Sequence, residues 1–247
     1  MEIKSIDKIL SANEYPGRGI IVGMTEDSKK AVCAYFIMGR SVNSRNRVFV
    51  AEGEEMRTKA YDESKLTDPS LIIYYPVRKI GNKLIVTNGD QTDTVRDFIA
   101  EGKTFEEALE TRCFEPDAPN FTPRISAEMT FEGGAFKYKM SILKAADAEG
   151  SACNRYTYNF EPLAGAARFI HTYMENGDPI PSFEGEPEKV TLKGDIEELA
   201  LDVWANLNED NKVSLYVSFI SLKDGSADTI IINKHEQNLP EDEDEEE

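Results

Sequence analysis

The feature that most constrains the fold is the grouping of β-rich segments into consecutive runs joined by short turns. Residues 124–131 and 136–143, for example, are β-rich and flank the turn residues Gly133 and Gly134. A parallel doubly wound fold requires strands and helices to alternate regularly, because parallel strands need long crossover connections. The grouping therefore predicts hairpin-connected, mainly antiparallel sheets.

Hydrophobic periodicity and turn residues place the individual elements. Strands are predicted over residues 20–24, 31–38, 47–51, 71–75, 83–87, 124–131, 136–143, 155–160, 213–220 and 229–232. Helices are predicted over residues 3–10, 94–100, 163–174 and 195–206, with a further helix opened by the capping box Thr104-Phe-Glu-Glu107. This order predicts an α+β fold of two mainly antiparallel sheets with helices packed outside. No repeat or linker divides residues 1–236, so we predict one domain.

The charge of the chain limits its partners. The 247 residues carry a net charge of −18, and the last seven residues are all acidic. An acidic body repels polynucleotide phosphate, which argues against nucleic-acid binding. Residues 237–247 cannot bury apolar surface and are predicted to form a disordered acidic tail. No segment has the apolar length of a membrane span or a signal-peptide core, so we expect a cytoplasmic protein without a membrane partner.

The cysteines and histidines do not predict a metal or disulfide site. The three cysteines are widely spaced and include no CxxC pair, and His171 and His235 are far from other candidate ligands in the sequence. Cys113 has no histidine near it that would activate a nucleophile. We therefore expect Cys113 to be a buried thiol.

Positive charge is concentrated in one short segment. Arg40, Arg45 and Arg47 lie within eight residues, directly after a predicted strand. Loops at sheet ends are where ligands approach without disturbing a core. The segment fits a site for a small anionic molecule, and equally a solvated basic turn.

Two further segments have residues suited to ligand binding. Residues 87–93 join a strand to a helix, where exposed amide groups can bind carbonyl or phosphate oxygens. Taken alone, this segment favours simple helix capping by Asp90 or Thr92. The proline-rich segment 115–129 contains Glu115 and Arg124, and its stiffness suits either a binding loop or an ordinary connection.

Four ordered motifs resemble the archaeal-type IMP cyclohydrolase family. They are Gly17-Arg-Gly-Ile20, Met38-Gly-Arg-Ser41 with Ser44-Arg-Asn-Arg47, Thr87-Asn-Gly-Asp-Gln-Thr-Asp-Thr94, and Thr122-Pro-Arg-Ile-Ser-Ala127. The resemblance implies a four-layer αββα sandwich similar to the N-terminal-nucleophile hydrolases, without an autoprocessed nucleophile. It also implies closure of the purine ring of a formamidoimidazole-carboxamide ribotide to give IMP and water.

The resemblance implies roles for particular residues. Arg40 and Arg47 would lie nearest the substrate anions or the formyl oxygen, Tyr74 would relay a proton or orient the carboxamide, and Glu115 would transfer protons. The expected pocket is completed by the hydrogen-bonding and phosphate-positioning residues Asn88, Asp90, Thr92 and Arg124. The resemblance implies no cofactor and favours a homo-oligomer.

Two other functions remain open at this point. One is a purine-nucleotide-binding protein that keeps the fold but has lost turnover. The other is an amidohydrolase, which would need a Ser, Thr or Cys nucleophile at a processed N-terminus, and the opening residues 1–5 do not indicate one.

Overall fold

Two seven-stranded β-sheets make up most of the computed structural model, which describes residues 3–236. The first sheet has the strand order β1 (Lys4–Ser5), β12 (Glu188–Thr191), β11 (Ala166–His171), β2 (Arg18–Met24), β3 (Lys30–Met38), β13 (Lys212–Ser221) and β14 (Ala227–Asn233). The second sheet has the order β10 (Cys153–Phe160), β9 (Ala135–Ala145), β8 (Arg124–Glu132), β7 (Lys83–Thr87), β6 (Val77–Ile80), β5 (Glu55–Ala60) and β4 (Arg47–Glu52). The predicted acidic tail, residues 237–247, lies outside the described residues.

All neighbouring strands pair antiparallel except β1 and β12. The α+β class and the two mainly antiparallel sheets were predicted correctly. The Gly133-Gly134 turn joins β8 to β9, and both glycines have positive φ, which a tight hairpin turn requires.

Alternation along the strands builds the core between the two sheets. In β8, Ile125, Ala127 and Met129 point inward, and the residues between them point to the other face of the sheet. They meet Ile20, Tyr35 and other inward residues of the first sheet in one buried apolar cluster. This shared core holds the two sheets face to face.

The α-helices of the described residues are α1 (Ile6–Ala12), α2 (Val42–Arg45), α3 (Gln91–Ala100), α4 (Phe105–Glu110) and α5 (Ile196–Asn206). All except α2, which has no buried residue, cover the outer faces of the sheets. Residues of α1 and α5 pack on the outer face of the first sheet, and residues of α3 and α4 pack on the outer face of the second. Leu199, Ala200, Val203 and Trp204 of α5 are buried there, as their helical spacing predicts.

Two predicted elements are wrong. Residues 163–174 do not form a helix, because Ala166–His171 is strand β11, paired with both β2 and β12. Short apolar runs satisfy helical and strand periods alike, and here tertiary pairing decides.

Residues 71–75 do not form a strand. Pro69 and Pro76 flank them, and the carbonyl of Pro69 accepts hydrogen bonds from Ile72 and Ile73 in a turn.

The sequence patterns also missed four short strands, β1, β5, β6 and β12, and misjudged one thiol. Each of these strands has two to six residues and little apolar content, and β1 lies within the helix predicted over residues 3–10. Cys113 is exposed, contrary to prediction, because it lies in the irregular segment that follows α4, whereas Cys33 is buried within β3.

Candidate active site

Several functional side chains meet at one end of the sandwich. The strand register places the starts of β2 and β8 and the ends of β3, β7 and β11 at this end. Three pairs of side chains cross from elements of the first sheet to elements of the second: Arg18 with Glu115, Tyr35 with Tyr74, and Tyr173 with Thr122. We call these six residues, together with Arg47, the buried polar cluster.

Arg47 is the largest fully buried side chain among the described residues. It begins β4, and its guanidinium donates to main-chain carbonyls only, through Nε to Ser44 at 2.8 Å and through Nη2 to Met38 at 3.5 Å. Its Nη1 has no hydrogen-bond partner. Burial lowers the pKa of Arg47, although Tyr74 opposes the shift. A buried guanidinium with a free donor and no carboxylate in hydrogen-bond contact is suited to bind an anionic ligand oxygen.

A pair of tyrosine hydroxyls lies beside this arginine. The Oη atoms of Tyr35 and Tyr74 are 2.8 Å apart, and both side chains are buried. Burial raises the pKa of Tyr35 well above its ordinary value, and the neighbouring Tyr74 raises it further. The Tyr35 phenol therefore stays protonated, and the hydrogen bond between the two hydroxyls offers a proton a path from one to the other.

Glu115 is a buried carboxylate without a hydrogen-bond donor. Its Oε1 has no partner, and its Oε2 lies 3.8 Å from Nη2 of Arg18, beyond hydrogen-bond distance. Burial raises the pKa of Glu115, and the charges of Arg18 and Arg124 oppose that rise. A carboxyl group in such surroundings is suited to accept and return a proton.

A hydrogen-bonded network around Arg124 forms the neighbouring wall. Nη1 of Arg124 donates to Gln91 at 2.7 Å and lies 2.8 Å from Asp90. Asp90 also binds Arg112 at 2.6 Å, and these two arginines hold the pKa of Asp90 below its ordinary value although burial would raise it. Asp90 makes no side-chain cap to α3, so its carboxylate orients the arginines instead.

Asn88 and Thr92 are buried, and their side chains bond within the protein. The amide of Asn88 donates to Pro123 and accepts from Ile125, while the hydroxyl of Thr92 contacts Thr87 at 2.6 Å. These bonds fasten the start of α3 to the end of β7 and the start of β8. The predicted substrate contacts of Asn88, Asp90, Thr92 and Arg124 stay predictions.

Arg40 lies at the rim of the site. Its side chain is exposed, and its Nη1 donates to Asn176 at 2.8 Å and to the Gly177 carbonyl at 2.7 Å. Its guanidinium also lies over the Tyr15 ring, 5.3 Å from the centroid. The Arg45 guanidinium donates to the Gly39 carbonyl and to the Asn211 side chain. Of the three arginines in the basic segment, Arg47 is therefore the one that has a buried donor without a partner.

The structure thus brings Arg47, Tyr74 and Glu115 into one cluster and leaves Arg40 at its edge. Sequence reasoning missed Arg18, Tyr35, Thr122 and Tyr173 as members. Arg18 lies in a motif that was noted only for its resemblance, and Tyr35 is hidden in an apolar strand. The sequence feature that could have identified Arg18 as a site residue is its place as an arginine at the first position of a buried strand.

A cavity of about 490 Å³ lies at the opposite end of the sandwich. Its walls include Met56, Leu84, Phe131 and Ile220, and hairpin turns surround its mouth. None of the three buried arginines, Arg18, Arg47 or Arg124, lines it. The large cavity therefore lacks the charged groups of the buried polar cluster.

No group of three or more His, Cys, Asp or Glu side chains in residues 3–236 is arranged to hold a metal ion. None of the helices in the described part has the length and hydropathy that a membrane crossing requires.

Comparison with known proteins places the chain in a family. The model of the family described as IMP cyclohydrolase-like protein matches residues 15–225. A protein of Methanopyrus kandleri named IMP cyclohydrolase is 30% identical over 183 residues, which cover 69% of this chain and 89% of the relative. Relatives of the same name from Methanococcus aeolicus and Methanococcus maripaludis are 26% and 30% identical, over 98% and 92% of their lengths. The matched region contains the whole buried polar cluster, and the chain therefore belongs to the IMP cyclohydrolase-like protein family.

Proposed function

We propose that this chain is an IMP cyclohydrolase, which closes the purine ring of 5-formamidoimidazole-4-carboxamide ribotide to give IMP and water. The observation that carries the proposal is the free donor of the fully buried Arg47, next to the Tyr35–Tyr74 pair and Glu115. Family membership and the shared name of the relatives support the same reaction.

The reaction requires few chemical groups from the protein. The carboxamide nitrogen attacks the formyl carbon of the same molecule, and the tetrahedral adduct loses its hydroxyl group as water. Because both reacting groups belong to one substrate, holding them in contact supplies much of the acceleration. The protein must also stabilise charge on the formyl oxygen and help two protons reach that oxygen, one from the attacking nitrogen and one from the formamide nitrogen, which becomes doubly bonded to the former formyl carbon.

The buried polar cluster has a residue for each of these tasks. The free Nη1 of Arg47 would donate to an anionic oxygen of the substrate, which offsets the cost of burying its charge. Glu115 would accept a proton from the attacking nitrogen, since burial raises its proton affinity. The hydroxyl pair of Tyr35 and Tyr74 would return a proton to the leaving oxygen.

The wider site would hold the ribotide. Arg40 stays a candidate for the substrate phosphate because it lies at the exposed rim, where a charged group can remain partly hydrated. Arg124 would form the other wall with Asn88, Asp90 and Thr92.

The layer order supports the finer proposal of a four-layer αββα sandwich of the N-terminal-nucleophile hydrolase type. The order is α1 and α5, the first sheet, the second sheet, and α3 and α4. The single domain, the cytoplasmic location and the homo-oligomer stay predictions.

A direct assay tests the proposed reaction. The purified chain is mixed with the formylated ribotide, with a chelator present, and the absorbance of the closed purine is followed. We expect IMP to form at a rate proportional to protein concentration, and Arg47→Met to reduce kcat/KM by at least about 100-fold. Arg57→Met, which removes an arginine in a partly exposed ion pair with Glu52, outside the buried polar cluster, is the matched control.

The same preparation separates the two candidate functions. Calorimetry measures IMP binding to the chain that was assayed. Tight IMP binding without turnover would favour a nucleotide-binding protein, and failure of both turnover and IMP binding would refute the proposal.

A further inference from the structure

Arg18 is held in place by the backbone around it. Gly17 before it has φ of +77°, and a Cβ on Gly17 would lie 2.2 Å from the Thr172 hydroxyl oxygen. The Arg18 amide donates to that same oxygen at 3.1 Å. The Gly17-Arg18 step therefore fits closely against Thr172, and the fit directs the Arg18 side chain into the buried polar cluster.

Arg18 is the cation nearest to Glu115 among the described residues. The Arg18 and Glu115 side chains are 10% and 2% exposed, and they form an ion pair with each other. The other charged groups that act on Glu115 are Arg124, Arg47 and Asp117, and the effect of Arg18 is larger than theirs. Burial lowers the pKa of Arg18, but Glu115 and the phenols of Tyr173, Tyr15 and Tyr74 outweigh it, so the net shift is upward and Arg18 stays charged.

The geometry of this pair differs from that of a structural salt bridge. At 3.8 Å the two groups do not share a hydrogen bond, and both Nε of Arg18 and Oε1 of Glu115 are without partners. A pair that only held the fold together would satisfy these buried atoms, since unsatisfied ones cost free energy. The arrangement leaves the Glu115 carboxylate free to bind a proton while Arg18 acts on it through charge.

We propose that Arg18 is a positioning residue that keeps the Glu115 carboxylate ionised and ready to accept a proton from the substrate. The proposal rests on the proposed function for the proton transfer itself. The charge of Arg18 opposes the effect of burial, which favours the protonated form of Glu115 that cannot act as a base.

The titration of Glu115 tests this role without substrate. Infrared difference spectra across a pH series report the protonated carboxyl group, and the band of Glu115 is identified by its loss in Glu115→Gln. We expect Arg18→Met to move the midpoint of this band upward by at least about one pH unit, because an opposite charge nearby favours the ionised carboxylate. Arg18→Lys keeps the charge and should stay within about half a unit of the wild-type midpoint.

The pH profile of turnover gives a second readout. The acid limb of the pH profile of kcat/KM should move to higher pH in Arg18→Met, by the same amount as the midpoint of the Glu115 band. At a pH below the midpoint, this shift is a loss of at least about tenfold in kcat/KM. Turnover should recover as the pH rises. Arg57→Met is again the control, since Arg57 pairs with Glu52 and is not among the charged groups that act on Glu115, and it should leave the Glu115 midpoint unchanged.

Two outcomes would overturn the proposal: an unchanged midpoint in folded Arg18→Met, or equal shifts in Arg18→Met and Arg18→Lys. If Arg18→Met does not fold, Arg18→Lys decides, and a shift of a full pH unit there would contradict a role through charge. Absence of turnover in the wild-type chain would instead refute the proposed function, and the titration would still report on Arg18 and Glu115.

Discussion

At the scale of single residues, Tyr35 and Tyr74 depend on each other. Tyr74→Phe would leave the Tyr35 hydroxyl buried without its partner, at a cost of about 1–3 kcal/mol in the free energy of unfolding. The double variant Tyr35→Phe/Tyr74→Phe removes both hydroxyls and should be more stable than the sum of the single effects predicts. Urea unfolding measures all three variants. Simple additivity would show that the two hydroxyls are not coupled.

Tyr75→Phe is the matched control for this pair. The Tyr75 hydroxyl bonds to Glu52 in an exposed position, where water can replace the lost contact. We expect a change within about 0.5 kcal/mol.

Glu115 predicts a pH dependence of stability at the same scale. Its pKa is raised above the ordinary value of 4.5, so between the two values the folded chain holds a proton that the unfolded chain has released. The free energy of unfolding therefore falls as pH rises through this window, and the loss persists above it. Glu115→Gln removes this pH dependence. The free energy of unfolding of the variant, relative to that of the wild type, should therefore be higher at pH 8 than at pH 4.5. Urea unfolding at the two pH values measures the difference.

Glu107→Gln provides a comparison of opposite sign. The backbone and side chain of Thr104 hold the pKa of Glu107 below its ordinary value, so its carboxylate stabilises the fold above the unfolded pKa and loses this effect as pH falls. Its replacement should cost more at pH 8 than in acid. A Glu115→Gln difference that is the same at both pH values would contradict the assignment of a raised pKa.

At the scale of secondary-structure elements, a capping box fixes the N-terminus of α5. The Asp195 side chain accepts from the Glu198 amide at 2.9 Å, and Glu198 accepts from the Asp195 amide at 3.0 Å. Asp195→Ala should lower the free energy of unfolding by about 1 kcal/mol in urea unfolding. Asp202→Ala, on the exposed face of the same helix, should have little effect. Equal losses in the two variants would exclude a specific capping role.

The elements also show what local sequence can predict. The strand over residues 83–87 was predicted with its observed bounds, and α5 to within one residue, because periodicity and turn or cap residues agree there. Residues 166–171 were assigned to a helix because their pairing partners, β2 and β12, are distant in the sequence. Strand β5 was missed because its exposed face is charged.

At the scale of the whole molecule, the two ends of the sandwich differ in chemistry. One end holds the buried polar cluster, and the other holds the cavity of about 490 Å³ with largely apolar walls. The sequence predicted Arg47, Tyr74 and Glu115 through a resemblance, and the structure brings these three together. It did not predict Arg18 or Tyr35, because contacts between the two sheets join residues far apart in the sequence, which for Arg18 and Glu115 is 97 positions.

A crystal structure of the chain with IMP tests the central claim most directly. We predict that IMP lies against the buried polar cluster, with Nη1 of Arg47 within hydrogen-bond distance of an IMP oxygen and Glu115 beside the purine ring. IMP bound in the cavity at the opposite end, with Nη1 of Arg47 still lacking a partner, would contradict the account.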